Sequence, residues 1–145
     1  MGVTIECVKS ENSIEMGYGG FASLREQVAN LVGGQFALFY KLLTQPNIMT
    51  LSGEQRKKFF EHYNAEIPKI IKAENVPETA ADFLYQSDCD GKIGCDACQT
   101  LLDIIGDYDD EVCYGYIERP DAAMFKDFKV LLEECVKTKS DLVWR

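Results

Sequence analysis

Apolar residues recur along this chain at intervals of three and four, the spacing of helices that turn one face toward a core. Phe21, Leu24, Val28 and Leu31 mark the first such stripe. Gly33-Gly34 interrupts it, and Phe36, Phe39, Tyr40 and Leu43 resume it, so the two glycines separate or bend two helical pieces. Pro46-Asn47 closes this hairpin arm. Ser52 followed by Gln55 has the form of a capping box, and Phe59, Phe60, Tyr63, Ile67, Ile70 and Ile71 hold the next helical face. Pro68 falls inside that face, which predicts either a kink or a stop near Asn64 and a restart, because proline lacks the amide that an interior turn needs.

Pro77 suits the first turn of a helix running to about Tyr85. From Cys95 onward, Cys98, Leu101, Leu102 and Ile105 line one face of a helix that ends near Gly106. Pro120 opens the last helix, with Phe125, Phe128, Leu131, Leu132 and Cys135 inward. Leu142-Val143-Trp144-Arg145 reads as extended, and Val3-Thr4-Ile5 offers it a partner for a small two-stranded ribbon formed by the termini. The pattern predicts a mainly α protein, a single globular domain over residues 1–145 with about six helices.

Composition supports an independently folding domain. The 145 residues are 46% hydrophobic and 27% charged, too apolar for intrinsic disorder. Acidic side chains outnumber basic ones by 24 to 15, giving a net charge of −9. That balance repels a nucleic-acid backbone or an anionic membrane and attracts a basic protein or a divalent cation. No basic leader with an apolar core opens the chain and no run has the length of a membrane span, so a cytoplasmic protein with reduced thiols is expected.

The segment 87–98 gathers three carboxylates, three thiols and two glycines between two helices. With Gly91 at the sixth place of an EF-hand loop, Asp88, Asp90 and Ile93 fall at the third, fifth and eighth, but Gln86 holds the first and Ala97 the twelfth. The loop 86–97 is thus a degenerate EF-hand in which Asp88 and Asp90 are the candidate ligands for calcium, with Asp96, Asp103 or the 107–111 turn to complete the shell. Without a cation, the same residues make a structural turn in which Gly91 takes a positive φ angle and the aspartates act as caps. Zinc would draw on Cys89, Cys95, Cys98 and Cys113, although only Cys95 and Cys98 have a favoured spacer. A redox reading takes Cys95-Asp96-Ala97-Cys98 as a dithiol at a helix start, but it lacks a βαβ setting and Asp90 and Asp96 oppose thiolate formation. The leading expectation for the thiols is that Cys95 and Cys98 begin the apolar stripe of their helix and Cys135 extends another. His62 reads as a helical residue without a catalytic neighbour.

The residues Ser87-Asp88-Cys89-Asp90-Gly91 resemble the Ser-Asp-Cys-Asp-Gly core of a family of small bacterial and phage proteins. In that family a Tyr-Gly-Gly-Phe-like opening leads into a helix with a basic residue, and a late helix ends in a short apolar segment closed by arginine. The counterparts here are Tyr18-Gly19-Gly20-Phe21 with Arg25, and Leu142-Val143-Trp144-Arg145. Gln86 stands where the related loops usually carry histidine. The family has no established activity, so the resemblance implies a shared turn and supplies no function.

The functional expectation is a non-enzymatic interaction module, immunity- or inhibitor-like, whose acidic surface docks a basic protein. Asp107, Tyr108, Asp109, Asp110 and Glu111, with Tyr114 and Tyr116 nearby, combine carboxylates with aromatic anchors. The alternative is a metal-binding or metal-stabilised module through Asp88 and Asp90, taking calcium or zinc. The chain carries no nucleophile elbow, phosphate loop or dinucleotide fingerprint that would name an enzyme.

Overall fold

The computed structural model describes residues 2–116 and 123–145. Two strands open the chain, β1 (Val3–Cys7) and β2 (Ser13–Met16), followed by helices α1 (Tyr18–Val32) and α2 (Gly34–Lys41). A 3₁₀ turn over Leu42–Thr44 leads to the one-turn helix α3 (Pro46–Met49), then to α4 (Gly53–Ala73) and α5 (Glu78–Tyr85). Strand β3 (Gly91–Ile93), helices α6 (Cys95–Ile105) and α7 (Phe125–Thr138), and strand β4 (Leu142–Trp144) complete the order. The fold is mainly α, with seven α-helices among the described residues.

The termini pair as the sequence suggests, Ile5 opposite Trp144 and Cys7 opposite Leu142, but the expected two-stranded ribbon is the centre of a four-stranded antiparallel sheet ordered β2-β1-β4-β3. The correction has a physical basis, since a lone ribbon buries too little to stand and the two flanking strands widen its apolar face. Val3, Ile5, Cys7, Ile14, Met16, Ile93, Leu142 and Trp144 are all buried, whereas Thr4, Glu6, Glu15 and Lys92 are not, the alternation of a sheet with one face on a helical layer. At three and four residues, β3 and β2 are too short for periodicity to announce.

Both glycines between α1 and α2 adopt left-handed backbone, Gly33 at φ 79° and Gly34 at φ 66°, which separates the two helices as anticipated. Glu74 fixes the second start from a distance: its carboxylate accepts the backbone N–H groups of Gln35 (2.7 Å) and Phe36 (2.8 Å), two amides a helix start leaves unpaired. Helix α4 runs unbroken through Pro68, so the stop and restart near Asn64 does not occur. Ser52 does stand at its N-cap, but the side chain makes no capping bond, contrary to the capping-box expectation. Pro46 starts a helical turn as well as closing the arm. For α7 the expected opening at Pro120 lies outside the described residues; the described start is at Met124, whose N–H donates to the Asp127 carboxylate at 2.8 Å.

One hydrophobic core joins the sheet to α1, α5, α6 and α7. Its centre is aromatic, with the Trp144 ring 5.8 Å from Phe21 and 5.5 Å from Phe83, and Phe83 stacked on Phe128 at 5.5 Å. Helix α4 joins this core at its edge, through the half-buried Ile67, Ile70 and Ile71. Tyr63 is its one fully buried side chain, stacked on Phe39 at 4.4 Å and bonded oxygen to oxygen with Tyr85 at 2.7 Å.

The expectation that Gly91 supplies a positive φ in a tight turn is corrected. Gly91 is the first residue of β3, paired with Trp144, and its φ is not in the left-handed region. Glycine is needed for space: a Cβ at this position would run into the Trp144 indole, which lies across the strand. Gly91→Ala is therefore expected to cost about 1–3 kcal/mol through overpacking, measured by chemical denaturation. A neutral result would refute the close approach.

Candidate functional site

Two exposed segments carry the candidate residues, and each is held from beneath by side chains of the core. The first is the loop between α5 and β3. Arg25, on the inward face of α1 and only 6% exposed, places its guanidinium 4.3 Å from the Phe21 ring centroid and 5.5 Å from that of Trp144. From there Nη1 donates to the Gln86 carbonyl (2.9 Å) and Nη2 to the Ser87 carbonyl (3.3 Å), while Trp144 Nε1 also donates to Ser87 O (2.8 Å). Burial lowers the Arg25 pKa from its ordinary value, and the nearby charge of Asp88 opposes that shift. Its Nε has no hydrogen-bond partner among the described residues.

Gln86 closes the loop from the other side. Its amide donates to the Lys92 carbonyl (2.8 Å) and its side-chain oxygen accepts the Lys92 N–H (3.0 Å), so one side chain satisfies both outward backbone groups at the edge of β3. The first position of the EF-hand pattern is thereby occupied with binding backbone, and Ala97, at the twelfth, is buried in α6. The Gln86–Lys92 bridge links the two arms of the loop where an EF-hand would use its ion. Asp88, Cys89 and Asp90 lie exposed above the bracket, and Ser87 Oγ accepts the Cys89 N–H at 3.3 Å.

Among the described residues no group of three or more His, Cys, Asp or Glu side chains gathers in a way that would hold a metal ion. The four candidate zinc thiols have diverged: Cys98 faces the core, Cys89 faces solvent, and Cys95 and Cys113 are half-buried. All six cysteines are unpaired. Cys98 and Cys135 are core residues, as the apolar stripes predict. Cys135 meets both Cys98 and Cys7 of β1, whose Sγ is 2.9 Å from Ser140 Oγ; contact with Cys98, followed by burial, pushes the Cys135 thiol pKa up. His62 is exposed on α4.

The second segment is the acidic turn after α6. Asp110 points inward: one carboxylate oxygen accepts the Tyr108 hydroxyl (2.9 Å) and the Tyr114 hydroxyl (2.7 Å), and the other accepts the Val112 N–H (3.0 Å). Both tyrosine rings pack on Phe125 of α7, at 5.0 Å and 6.2 Å, and Lys129 of the same helix donates to the Gly106 and Tyr108 carbonyls. Burial and then the bond to Asp110 raise the pKa of both phenols. Of the five candidate contact residues, Asp107, Asp109 and Glu111 are exposed, Asp109 while also accepting the Asp110 N–H (2.8 Å), whereas Tyr108 and Asp110 are engaged within the turn.

Sequence reasoning did not assign Arg25, Gln86 or Trp144 their bracketing roles. The three segments that contain Phe21 with Arg25, Ser87 with Gly91, and Trp144 are remote in sequence and meet at this one place. Comparison of the chain with protein-family models, with curated proteins and with solved structures found no match. No helix among the described residues is long and apolar enough to cross a membrane.

Arg25→Lys is expected to lose about 1–3 kcal/mol by urea denaturation, because an ammonium cannot reach two carbonyls while stacking on the rings. Wild-type stability in that variant would contradict the bracket. Tyr40 and Tyr63 are pushed up to about 12 from the ordinary 10, in both cases chiefly by burial. A raised folded pKa favours the protonated phenol, so these groups stabilise the fold fully below pH 10 and progressively less as pH rises from 10 toward 12. Tyrosinate absorbance of the native chain should therefore lag that of the urea-unfolded chain, and superimposable titrations would contradict the burial of these hydroxyls.

Proposed function

We propose that this chain is a non-enzymatic interaction module that docks a basic protein through its acidic surface, in the manner of immunity proteins and inhibitors. The observation that carries the reading is the division within the 107–111 turn. Asp110, Tyr108 and Tyr114 bond to one another, leaving Asp107, Asp109 and Glu111 in solvent on a backbone those bonds hold in place. A preformed surface loses less conformational entropy on association than a floppy one. The net charge of −9 steers a cationic partner toward it, and Val112, 50% exposed in the same stretch, adds an apolar contact amid the carboxylates. Six unpaired thiols suit a reducing, cytoplasmic setting. The metal-binding alternative has less support, because Asp88 and Asp90 have no third donor gathered beside them among the described residues.

Combined reversal of Asp107→Lys, Asp109→Lys and Glu111→Lys keeps the bonds of Asp110 to Tyr108, Tyr114 and Val112, removes the one from Asp110 N–H to Asp109 Oδ1 (2.8 Å), and tests the reading. Immobilised wild-type chain is expected to retain a basic protein from host lysate at low salt and to release it at raised salt, while the folded triple variant retains none. Identical retention by the two chains at both salt concentrations would contradict the proposal.

A further inference from the structure

The charge of this chain is divided unevenly along it. Residues 41–72 contain six basic side chains and three acidic ones, a net of +3, whereas the remainder holds nine basic and twenty-one acidic, a net of −12. The basic stretch is the least buried part of the fold: the end of α2, the 3₁₀ turn, α3 and α4, a helix of 21 residues that packs on the core through the half-buried Ile67, Ile70 and Ile71 and has Tyr63 as its one buried side chain. Lys57, Lys58 and Lys72 are exposed and make no ion pair among the described residues, while Lys69 pairs with Glu66 at 3.3 Å.

The arm and the last turn of α2 that leads into it expose apolar surface. Leu38 is 61% exposed, Leu42 36% and Met49 65%. Leu38 and Leu42 are four residues apart, with Lys41 between them, so apolar and basic groups share one side of the arm. Exposed apolar side chains on a basic arm match an exposed apolar side chain among carboxylates, and the chain itself carries one in Val112, beside Asp109 and Glu111.

We infer that the arm of residues 41–72 is a docking face for a second copy of this chain, set against its acidic turn. Every copy carries both surfaces, so two copies about a twofold axis make the arm-on-turn contact twice and leave no open end. This inference rests on the reading of the 107–111 turn as a docking surface and names the basic partner as the chain's own arm.

The test is sedimentation velocity of the full chain with two variants whose thermal melts match wild type. One carries Lys57→Glu and Lys58→Glu, the other the triple lysine reversal of Asp107, Asp109 and Glu111. Wild type is expected to approach twice the monomer mass at low salt and to fall to monomer mass at raised salt. Each variant alone should stay monomeric, and an equimolar mixture should dimerise again, because both contacts then pair opposite charges. A wild-type chain that is monomeric at every concentration, or a dimer indifferent to arm reversal, overturns the inference. The monomeric outcome leaves the acidic turn free to bind a different basic protein. Dimer loss on arm reversal but not on turn reversal keeps the arm as a docking face and refutes the turn.

Discussion

The contact on which the rest of the structure depends is the indole of Trp144 lying over Gly91. It sits where the two ends of the chain, the first helix and the acidic-cysteine loop meet. Its ring supports Phe21 and Phe83, its N–H fixes Ser87 O, and its presence forces glycine at the neighbouring strand position. Arg25 is retained in the same place because its planar cation can stack on rings while its nitrogens satisfy carbonyls that a turn leaves unpaired. Burying that charge is costly, so the two backbone acceptors and the aromatic faces must offset its desolvation.

A common device holds both exposed segments. In each, a polar side chain reaches back to bond the turn, while aromatic rings below define where it sits. Gln86 does this for the loop and Asp110 for the acidic turn. Each bracket fills hydrogen-bonding capacity that a ligand or partner would otherwise meet, which sorts the candidate residues by role. Asp110 and Gln86 belong to the scaffold; Asp107, Glu111, Asp88 and Asp90 belong to the surface, and Asp109, which holds the Asp110 N–H, belongs to both.

Much of this architecture was legible in the sequence because helical faces repeat. Phe21, Leu24 and Val28, or Leu101 and Ile105, declare their burial through spacing alone, and glycines at 33, 34 and 106 mark the breaks. What escaped was contact between remote segments. Ser13 to Met16 alternates but is only four residues long, and nothing local distinguishes Gly91 as a glycine chosen for clearance from one chosen for a turn. Asp110 was legible as acidic and not as structural, because its partners Tyr108 and Tyr114 would read equally well as surface anchors. The thiols at 95 and 98 were rightly placed on a helix, yet their divergence from Cys89 and Cys113 depends on how α6 and the loops pack.

The claim that core side chains hold these two surface segments rigid is most directly tested by native-state hydrogen exchange at two backbone amides. Lys92 N–H donates to Gln86 and Val112 N–H to Asp110, and neither bond belongs to a helix or a strand pair. If the brackets hold, both amides exchange well below the rate of an unstructured peptide, through local openings that break these bonds. Exchange at the rate of an unstructured peptide at either amide, with the α6 and α7 amides still protected, would contradict the account.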